Sequence, residues 1–205
     1  MRAAVMRDWS LRVDDIPEPV AGGGQVLARV LACGICGSDL HLLVHGEESR
    51  RLSAELADGA APNPGAPIMF EPHLDTVMGH EYCCEVLDVG PGVNNLKSGD
   101  IIVSFPVTFD EQGIHGVGFS NKYPGGYSER IVANEMMSIK VPNGLSPELA
   151  AMTEPLAVGV HAVEKSRIAS GDAALILGLG PVGLDRKSTR LNSSHSSVSR
   201  MPSSA

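Results

Sequence analysis

Residues 25–41, QVLARVLACGICGSDLH, join an apolar strand to a glycine-containing loop that carries two cysteines. Segments of the same strand type recur through the first 140 residues, and Gly, Pro, Asn or Asp bound most of them. Several short strands separated by such turn residues predict a compact barrel or sandwich. We expect strands at Ala3–Met6, Gln25–Ala32, Glu81–Val89, Ile101–Phe105, Tyr127–Val132 and Met137–Val141.

Cys36 and His80 are the residues of this region with the clearest chemistry. Cys36 lies just past the first quoted strand, and His80, in the triplet Gly79-His80-Glu81, lies directly before another. A zinc ion with an open coordination position takes three protein ligands drawn from thiolate, imidazole and carboxylate groups. Strand ends on one side of a barrel would supply Cys36 and His80, and the third ligand would be Glu154 or Glu81.

The sequence changes character near residue 145, where helical patterns replace strand patterns. Ser146-Pro147-Glu148 combines a serine N-cap, a proline at the first helical position and a carboxylate in the first turn. An apolar stripe predicts a helix over 154–167, and Ala173–Leu177 is a short apolar strand typical of a sheet covered on both faces. A second domain of α/β type therefore begins at about residue 150.

One long stretch, from Gly46 to Thr76, shows no strand pattern. Arg50–Asp58 could form a short helix. Ala60–Pro67 consists of Ala, Pro, Gly and Asn, a composition typical of a loop. Loops of this length are usually functional lids or disordered segments. We therefore expect an irregular insertion within the first domain.

The other cysteines and histidines have structural interpretations. Cys83 and Cys84 are adjacent, so they point to opposite faces of a strand and are expected to pack in the core. Cys33 is interpreted as a packed strand-end residue, although Cys33-x-x-Cys36 leaves open a redox pair or half of a zinc knuckle. Loop-like surroundings predict solvated side chains for His45, His73 and His115.

Five motifs, in chain order, carry a resemblance to a known family: GICGSDLH, GHE, GGYSERIV, EPLAVGVHAV and LILGLGPVGL. Together they resemble the zinc-dependent medium-chain alcohol dehydrogenases, in particular the polyol (sorbitol-type) and threonine dehydrogenase branch. The resemblance covers residues 1–184. It implies a mainly β chaperonin-ten-like (GroES-like) barrel domain over 1–150, followed over 151–184 by the first helix and strand of an incomplete α/β Rossmann domain.

The resemblance also assigns roles around the metal. Cys36 and His80 match the zinc ligands, Glu154 matches a carboxylate at the metal, and Glu81 is the alternative ligand. Asp39 matches a residue that holds the imidazole of the ligand histidine and raises its basicity.

The implied activity is transfer of a hydride from a small alcohol or polyol to NAD(P)+, with one catalytic zinc ion. Ser38 and His41 match the proton relay of the family. Residues 106–126 lack the cysteines that hold a second, structural zinc in many members. The insertion between Gly46 and Thr76 would lie over the substrate mouth.

The glycine turn after the last predicted strand is the implied cofactor site, for NAD or NADP in the full-length homologue. Its residues are Gly178, Gly180, Pro181, Val182 and Gly183. After Leu184 comes a serine-rich segment, 185–205, without a helical stripe, which we interpret as a disordered, foreign, adapter-like tail. We therefore expect a chain truncated in the Rossmann domain that is inactive as written, and a homo-oligomer only for the full-length protein.

Composition limits the partners and the location. A formal net charge of −8 argues against nucleic acid or an anionic membrane as partner. The amino terminus lacks an apolar signal region, and four cysteines without one favour reduced thiols or a metal, so a cytoplasmic protein is expected. Two alternatives stay open: a non-catalytic zinc-binding barrel module, and a zinc-free quinone-oxidoreductase relative, against which Cys36, His80 and Glu154 argue together.

Overall fold

The computed structural model describes residues 1–56, 70–169 and 172. Its backbone contacts divide the chain into two compact units, Met1–Met152 and one that begins at Thr153. The strands of the described residues are β1 (Arg2–Arg7), β2 (Ser10–Asp15), β3 (Gln25–Cys33), β4 (Thr76–Val77), β5 (Tyr82–Val89), β6 (Ile101–Ser104), β7 (Val107–Asp110), β8 (Gly113–Gly116), β9 (Arg130–Asn134) and β10 (Ser138–Lys140). The helices are α1 (Gly37–Leu56), a 3₁₀ turn (Glu135–Met137), α2 (Pro147–Ala151) and α3 (Thr153–Ser166).

A five-stranded antiparallel sheet, in the order β10-β6-β5-β3-β9, forms the centre of the first unit. Val26 and Ala28 of β3 are fully buried, because alternate residues of a strand face the same side. The pairing of Cys33 with Tyr82 sets the end of β3 beside the start of β5. The two loops that carry Cys36 and His80 therefore meet at one end of the sheet, where these inner strands end and begin.

The amino-terminal hairpin belongs to a separate sheet with the order β2-β1-β4. Asp8 and Trp9 connect β1 to β2 with φ angles of 47° and 61°. Two consecutive residues with positive φ give a turn whose twist matches that of the paired strands. The ring of Trp9 meets the ring of Phe70 edge to face, with centroids 6.0 Å apart.

The expected irregular insertion is in its first part a regular helix. The expectation of irregular structure was wrong for Gly46 to Ser49, because α1 continues through these residues, whereas the short helix suggested from Arg50 onward is present to Leu56 as the end of α1. Gly46 is buried, and a Cβ placed on it would lie 2.1 Å from the ring of Trp9. A residue of low helix propensity thus permits a tight helix–hairpin contact, which local sequence does not reveal. Residues 57–69 lie outside the described residues.

The β7–β8 hairpin buries His115, which we had expected to be solvated. His115 is only 2% exposed, and its Nε2 lies 2.9 Å from Oδ1 of Asp110. The hydroxyl of Tyr123 and the ammonium of Lys122 both donate to Oδ2 of Asp110, at 2.9 and 2.6 Å. Burial opposes ionisation of Asp110, but these hydrogen bonds hold the pKa of its carboxyl well below the ordinary value.

The helices near residue 150 confirm the predicted helix signals. Pro147 opens α2, and the hydroxyl of Ser146 accepts a hydrogen bond from the backbone N–H of Leu149. The helix predicted over 154–167 is α3. The predicted strand Ala173–Leu177 and the segment 185–205 lie outside the described residues. Among the helices described, none has both the length and the apolar character needed to cross a membrane.

Candidate metal centre

Cys36, His80 and Glu81 form a cluster of potential metal ligands in the first unit. One ligand atom from each side chain lies within 4.8 Å of the other two. Zinc bonds to sulfur, nitrogen and oxygen measure about 2.0–2.3 Å, so two ligand atoms of one tetrahedral ion lie about 3.3–3.8 Å apart. Small side-chain movements are therefore enough for these three groups to share one ion.

Backbone hydrogen bonds between glycine-containing loops set the position of the cluster. Gly34 N–H donates to the carbonyl of Glu81 at 2.7 Å, and Gly126 N–H donates to the carbonyl of Gly79 at 2.7 Å. Gly79 has a φ of +94°, in the left-handed region that favours glycine, and it turns the chain directly before His80. These backbone contacts tie the loop before β5 to the loop after β3 and to the segment before β9.

Asp39 lies behind His80 and is almost fully buried. Its Oδ1 is 3.4 Å from Nδ1 of His80, and neither of these buried atoms has a hydrogen bond to any other described residue. Burial opposes the charged imidazolium, but the carboxylate of Asp39 and the side chain of Cys36 raise the pKa of His80 to about 9. For Asp39, burial opposes ionisation, yet His80 and Tyr127 bring the pKa of its carboxyl below the ordinary value.

Tyr127 is a residue of this site that sequence reasoning missed. Its hydroxyl donates to Oδ2 of Asp39 at 2.7 Å, and the backbone N–H of Cys36 donates to the same oxygen at 3.2 Å. Burial and the neighbouring carboxylate raise the pKa of the Tyr127 hydroxyl well above its ordinary value. The available signal was the aromatic position that directly follows the double glycine in the motif GGYSERIV.

The other cysteines do not belong to the cluster. Cys84 is buried in the main core and Cys83 in a second core cluster, which confirms that they point to opposite faces of β5. Cys33 ends β3, and its thiol lies 3.3 Å from the carbonyl of Gly34. Burial raises the pKa of Cys33 to about 12, so this thiol is protonated at neutral pH.

The remaining predicted site residues lie on helices or outside the description. Ser38 and His41 are exposed residues of the first turns of α1, and the ring centroids of His41 and His45 are 4.9 Å apart. Glu154 lies in the first turn of α3, in the second unit. The residues of the predicted cofactor turn lie outside the described residues: Gly178, Gly180, Pro181, Val182 and Gly183.

Residues 22–143 match the family model of the alcohol dehydrogenase GroES-like domain. The chain belongs to this family. The match includes β3 to β10 and all three members of the cluster, and it confirms the predicted fold class.

Relatives of this chain are dehydrogenases named for small diols and polyols. It is similar to (R,R)-butanediol dehydrogenase of Bacillus subtilis, with 38% identity over 184 residues, which are 85% of this chain and 49% of that protein. Similarity to sorbitol dehydrogenase of the same organism is 30% over 197 residues, covering 90% of this chain and 50% of that protein. The chain therefore spans about half the length of the curated relatives it matches.

Solved structures show the same likeness. The crystal structure of 2R,3R-butanediol dehydrogenase from Bacillus subtilis aligns with a TM-score of 0.71 and 32% identity, covering 94% of this chain and 55% of that one. A zinc-binding dehydrogenase from Sinorhizobium meliloti 1021, bound to NADP, aligns with a TM-score of 0.76 and 26% identity over 98% of this chain and 56% of that one. The resemblance to the medium-chain dehydrogenases with polyol-type relatives is thus confirmed.

Proposed function

We propose that this chain forms the metal-binding part of an alcohol or polyol dehydrogenase that transfers a hydride from its substrate to NAD+ or NADP+. The observation that carries the proposal is the cluster of Cys36, His80 and Glu81, whose ligand atoms lie within 4.8 Å of one another. The dehydrogenase names of the relatives support the reaction class.

Zinc fits this donor set. Three protein ligands of mixed sulfur, nitrogen and oxygen type are what zinc uses when it keeps a position open for substrate. Zinc bound there would supply the Lewis acidity that polarises the oxygen of an alcohol. Cys36 and His80 would hold it, with Glu81 from the cluster or Glu154 from α3 as the carboxylate.

Asp39 prepares His80 for metal binding. Its Oδ1 faces Nδ1 of His80, so it favours the tautomer that carries the proton on Nδ1. That tautomer leaves the lone pair of Nε2 free for a metal, and the carboxylate increases the basicity of the ring.

Ser38 and His41 are proposed to move the proton of the substrate hydroxyl. Ser38 would accept a hydrogen bond from the substrate hydroxyl and pass the proton toward His41. His41, exposed on the same helix, would release it to solvent. Their neighbouring positions on the first turns of α1 place both groups just after Cys36 in the chain.

The cofactor proposal rests on the glycine motif at 178–183, which would bind the pyrophosphate of NAD or NADP. We infer that the 205-residue polypeptide alone binds neither cofactor appreciably and is therefore inactive, since it spans about half the length of its relatives. A calorimetric titration that shows tight NAD+ or NADP+ binding to this polypeptide would refute that inference.

Metal content tests the site directly. We expect the purified chain to hold one zinc ion, and Cys36→Ser to lose it because the thiolate ligand is gone. Cys33→Ser is the matched control, since it changes the cysteine three residues earlier, at the end of β3, and should keep the zinc. Elemental analysis that finds equal zinc in wild type and Cys36→Ser would overturn the assignment.

A chimaera tests the reaction. Residues 1–177 would be joined to the cofactor-binding half of Bacillus subtilis (R,R)-butanediol dehydrogenase, and NAD(P)H formation would be followed with diols and polyols. We expect activity that Cys36→Ser abolishes. A folded chimaera that holds zinc and binds NAD+ or NADP+ yet oxidises none of these alcohols would favour a non-catalytic zinc-binding module.

A further inference from the structure

Asp39, which faces the metal ligand His80, is itself hydrogen-bonded by Tyr127. The hydroxyl of Tyr127 lies 2.7 Å from Oδ2 of Asp39, and Oδ1 of the same carboxylate faces His80. A distance of 2.7 Å between a hydroxyl and a carboxylate oxygen is typical of a strong, charge-assisted hydrogen bond. Tyr127 and His80 therefore contact opposite oxygens of one buried carboxylate.

We infer that Tyr127 is a positioning residue of the metal centre, which fixes the Asp39 carboxylate so that its second oxygen is aimed at His80. This inference rests on the proposed function, since it gives Tyr127 a role in metal binding. Tyr127 touches neither the metal ligands' donor atoms nor the substrate in this role; it acts through Asp39.

The backbone around Tyr127 makes it suitable for holding another group. Its N–H donates to the carbonyl of Met78 at 3.0 Å, and its carbonyl accepts from the N–H of Ala4 at 2.8 Å. Both neighbours belong to ordered parts of the first unit, next to β4 and within β1. The phenol oxygen is thus held at the end of a rigid ring on a fixed backbone.

The ring of Tyr127 also lies against the turn that carries His80. A Cβ placed on Gly79 would be 2.7 Å from Cδ1 of Tyr127, closer than side chains approach one another. Tyr127 therefore packs on Gly79, the residue before His80, and hydrogen-bonds Asp39. Through these two contacts it constrains the separation of Asp39 and His80.

Without the phenol, Asp39 would keep fewer restraints. Oδ2 would retain the longer bond from the N–H of Cys36, at 3.2 Å. Rotation of the carboxylate about its terminal torsion is broad in proteins, so a single weak bond does not fix it. The Tyr127 hydroxyl has one alternative acceptor, the carbonyl of Gly34 at 3.3 Å, which is the weaker of the two contacts.

The test is a Co²⁺ titration of the full 205-residue chain, read from the thiolate-to-cobalt absorption band. We expect Tyr127→Phe, which removes only the oxygen atom, to bind Co²⁺ about tenfold more weakly, in the range known for groups that orient metal ligands. Tyr123→Phe is the matched control, because it also removes a tyrosine hydroxyl that donates to an aspartate, Asp110, at 2.9 Å. It should bind Co²⁺ like the wild type.

A double-mutant cycle separates positioning from general loosening of the fold. In an Asp39→Asn background, Tyr127→Phe should change Co²⁺ affinity by less than about twofold, because its route to His80 is already broken. Unchanged affinity of Tyr127→Phe, or an equal loss in both backgrounds, would overturn the inference. A wild-type chain that shows no thiolate-to-cobalt band would instead refute the proposed metal site itself, and the role of Tyr127 with it.

Discussion

Adding one methyl group at Gly34 tests whether Glu81 is the carboxylate of the metal centre. A Cβ on Gly34 would lie 2.1 Å from Oε2 of Glu81, against an ordinary contact of at least 3.4 Å. The carboxylate oxygen must therefore move by about 1.3 Å, the difference between these two distances. The backbone cannot absorb this shift cheaply, because Gly34 N–H is hydrogen-bonded to the carbonyl of Glu81 at 2.7 Å.

The displacement has a calculable consequence for metal binding. The same Cβ would lie 3.1 Å from Cβ and 3.2 Å from Cδ of Glu81, so the whole side chain is crowded and its end rotates away from Gly34. Overpacking forces side-chain and backbone shifts of this kind at a cost of about 1–3 kcal/mol. Loss of the ligand contact should lower metal affinity at least tenfold, which corresponds to about 1.4 kcal/mol.

The assay is the Co²⁺ titration of Gly34→Ala, with Gly37→Ala as the control. Gly37 lies three residues further along the chain, at the start of α1, and a Cβ there meets nothing within 4 Å. We expect Gly37→Ala to bind Co²⁺ like the wild type and Gly34→Ala to bind it at least tenfold more weakly. Equal affinity of the two variants would show that Glu81 is not a ligand and would favour Glu154.

Three further predictions concern the frame of the first unit. Gly46→Ala should lower the free energy of unfolding by about 1–2 kcal/mol, since overpacking against Trp9 outweighs the gain in helix propensity; the fluorescence of Trp9, the one tryptophan of the chain, should shift in the folded state. Asp110→Asn should cost about 2 kcal/mol at pH 7, because hydrogen bonds to a charged acceptor are lost. The lowered pKa of Asp110 means that its contribution is complete above the unfolded-state value near 4 and declines as the pH falls below it, so wild type and variant should converge in acid denaturation. Cys33, with a pKa of about 12, should resist alkylation by iodoacetamide at pH 8. Mass spectrometry of the protein alkylated in its folded state measures this, and rapid alkylation of Cys33 would contradict the burial argument.

The central strands could be predicted because their sequences are short, largely apolar runs bounded by turn residues. Val26 and Ala28 alternate with more exposed neighbours along β3, and this pattern is visible in the sequence alone. β2 gave no such signal, since all six of its residues, Ser10–Asp15, are exposed. Its place comes from pairing with β1 across the Asp8–Trp9 turn, which is a tertiary property.

His115 shows how a short-range partner can be missed. Glycine and polar residues around it are typical of a loop, and that led to the prediction of a solvated side chain. The structure instead folds residues 107–116 into a hairpin, which brings Asp110 to 2.9 Å from the imidazole. The closed hairpin offsets the free-energy cost of burying the imidazole, because it brings the Asp110 carboxylate within hydrogen-bond distance.

The chemistry of the candidate site was accessible from sequence to the extent that it lies in contiguous motifs. Cys36 and Asp39 share one motif, and His80 and Glu81 share another, so each pair could be named before the structure. Tyr127 lies 88 residues from its partner Asp39, and no periodicity or spacing connects them. Its role depends on a single distance, which only the folded chain provides.

The framework of the metal centre is held by the polypeptide itself. The bonds from Gly34 to Glu81 and from Gly126 to Gly79 join three loops that are far apart in sequence, and none of them uses a ligand side chain. The adjoining β3–β5 pairing is anchored in a buried apolar core. Because these interactions join backbone groups and core side chains, they position the ligand loops without using the ligand side chains, and the affinity for metal then depends on how firmly Asp39 and Tyr127 hold the orientation of His80.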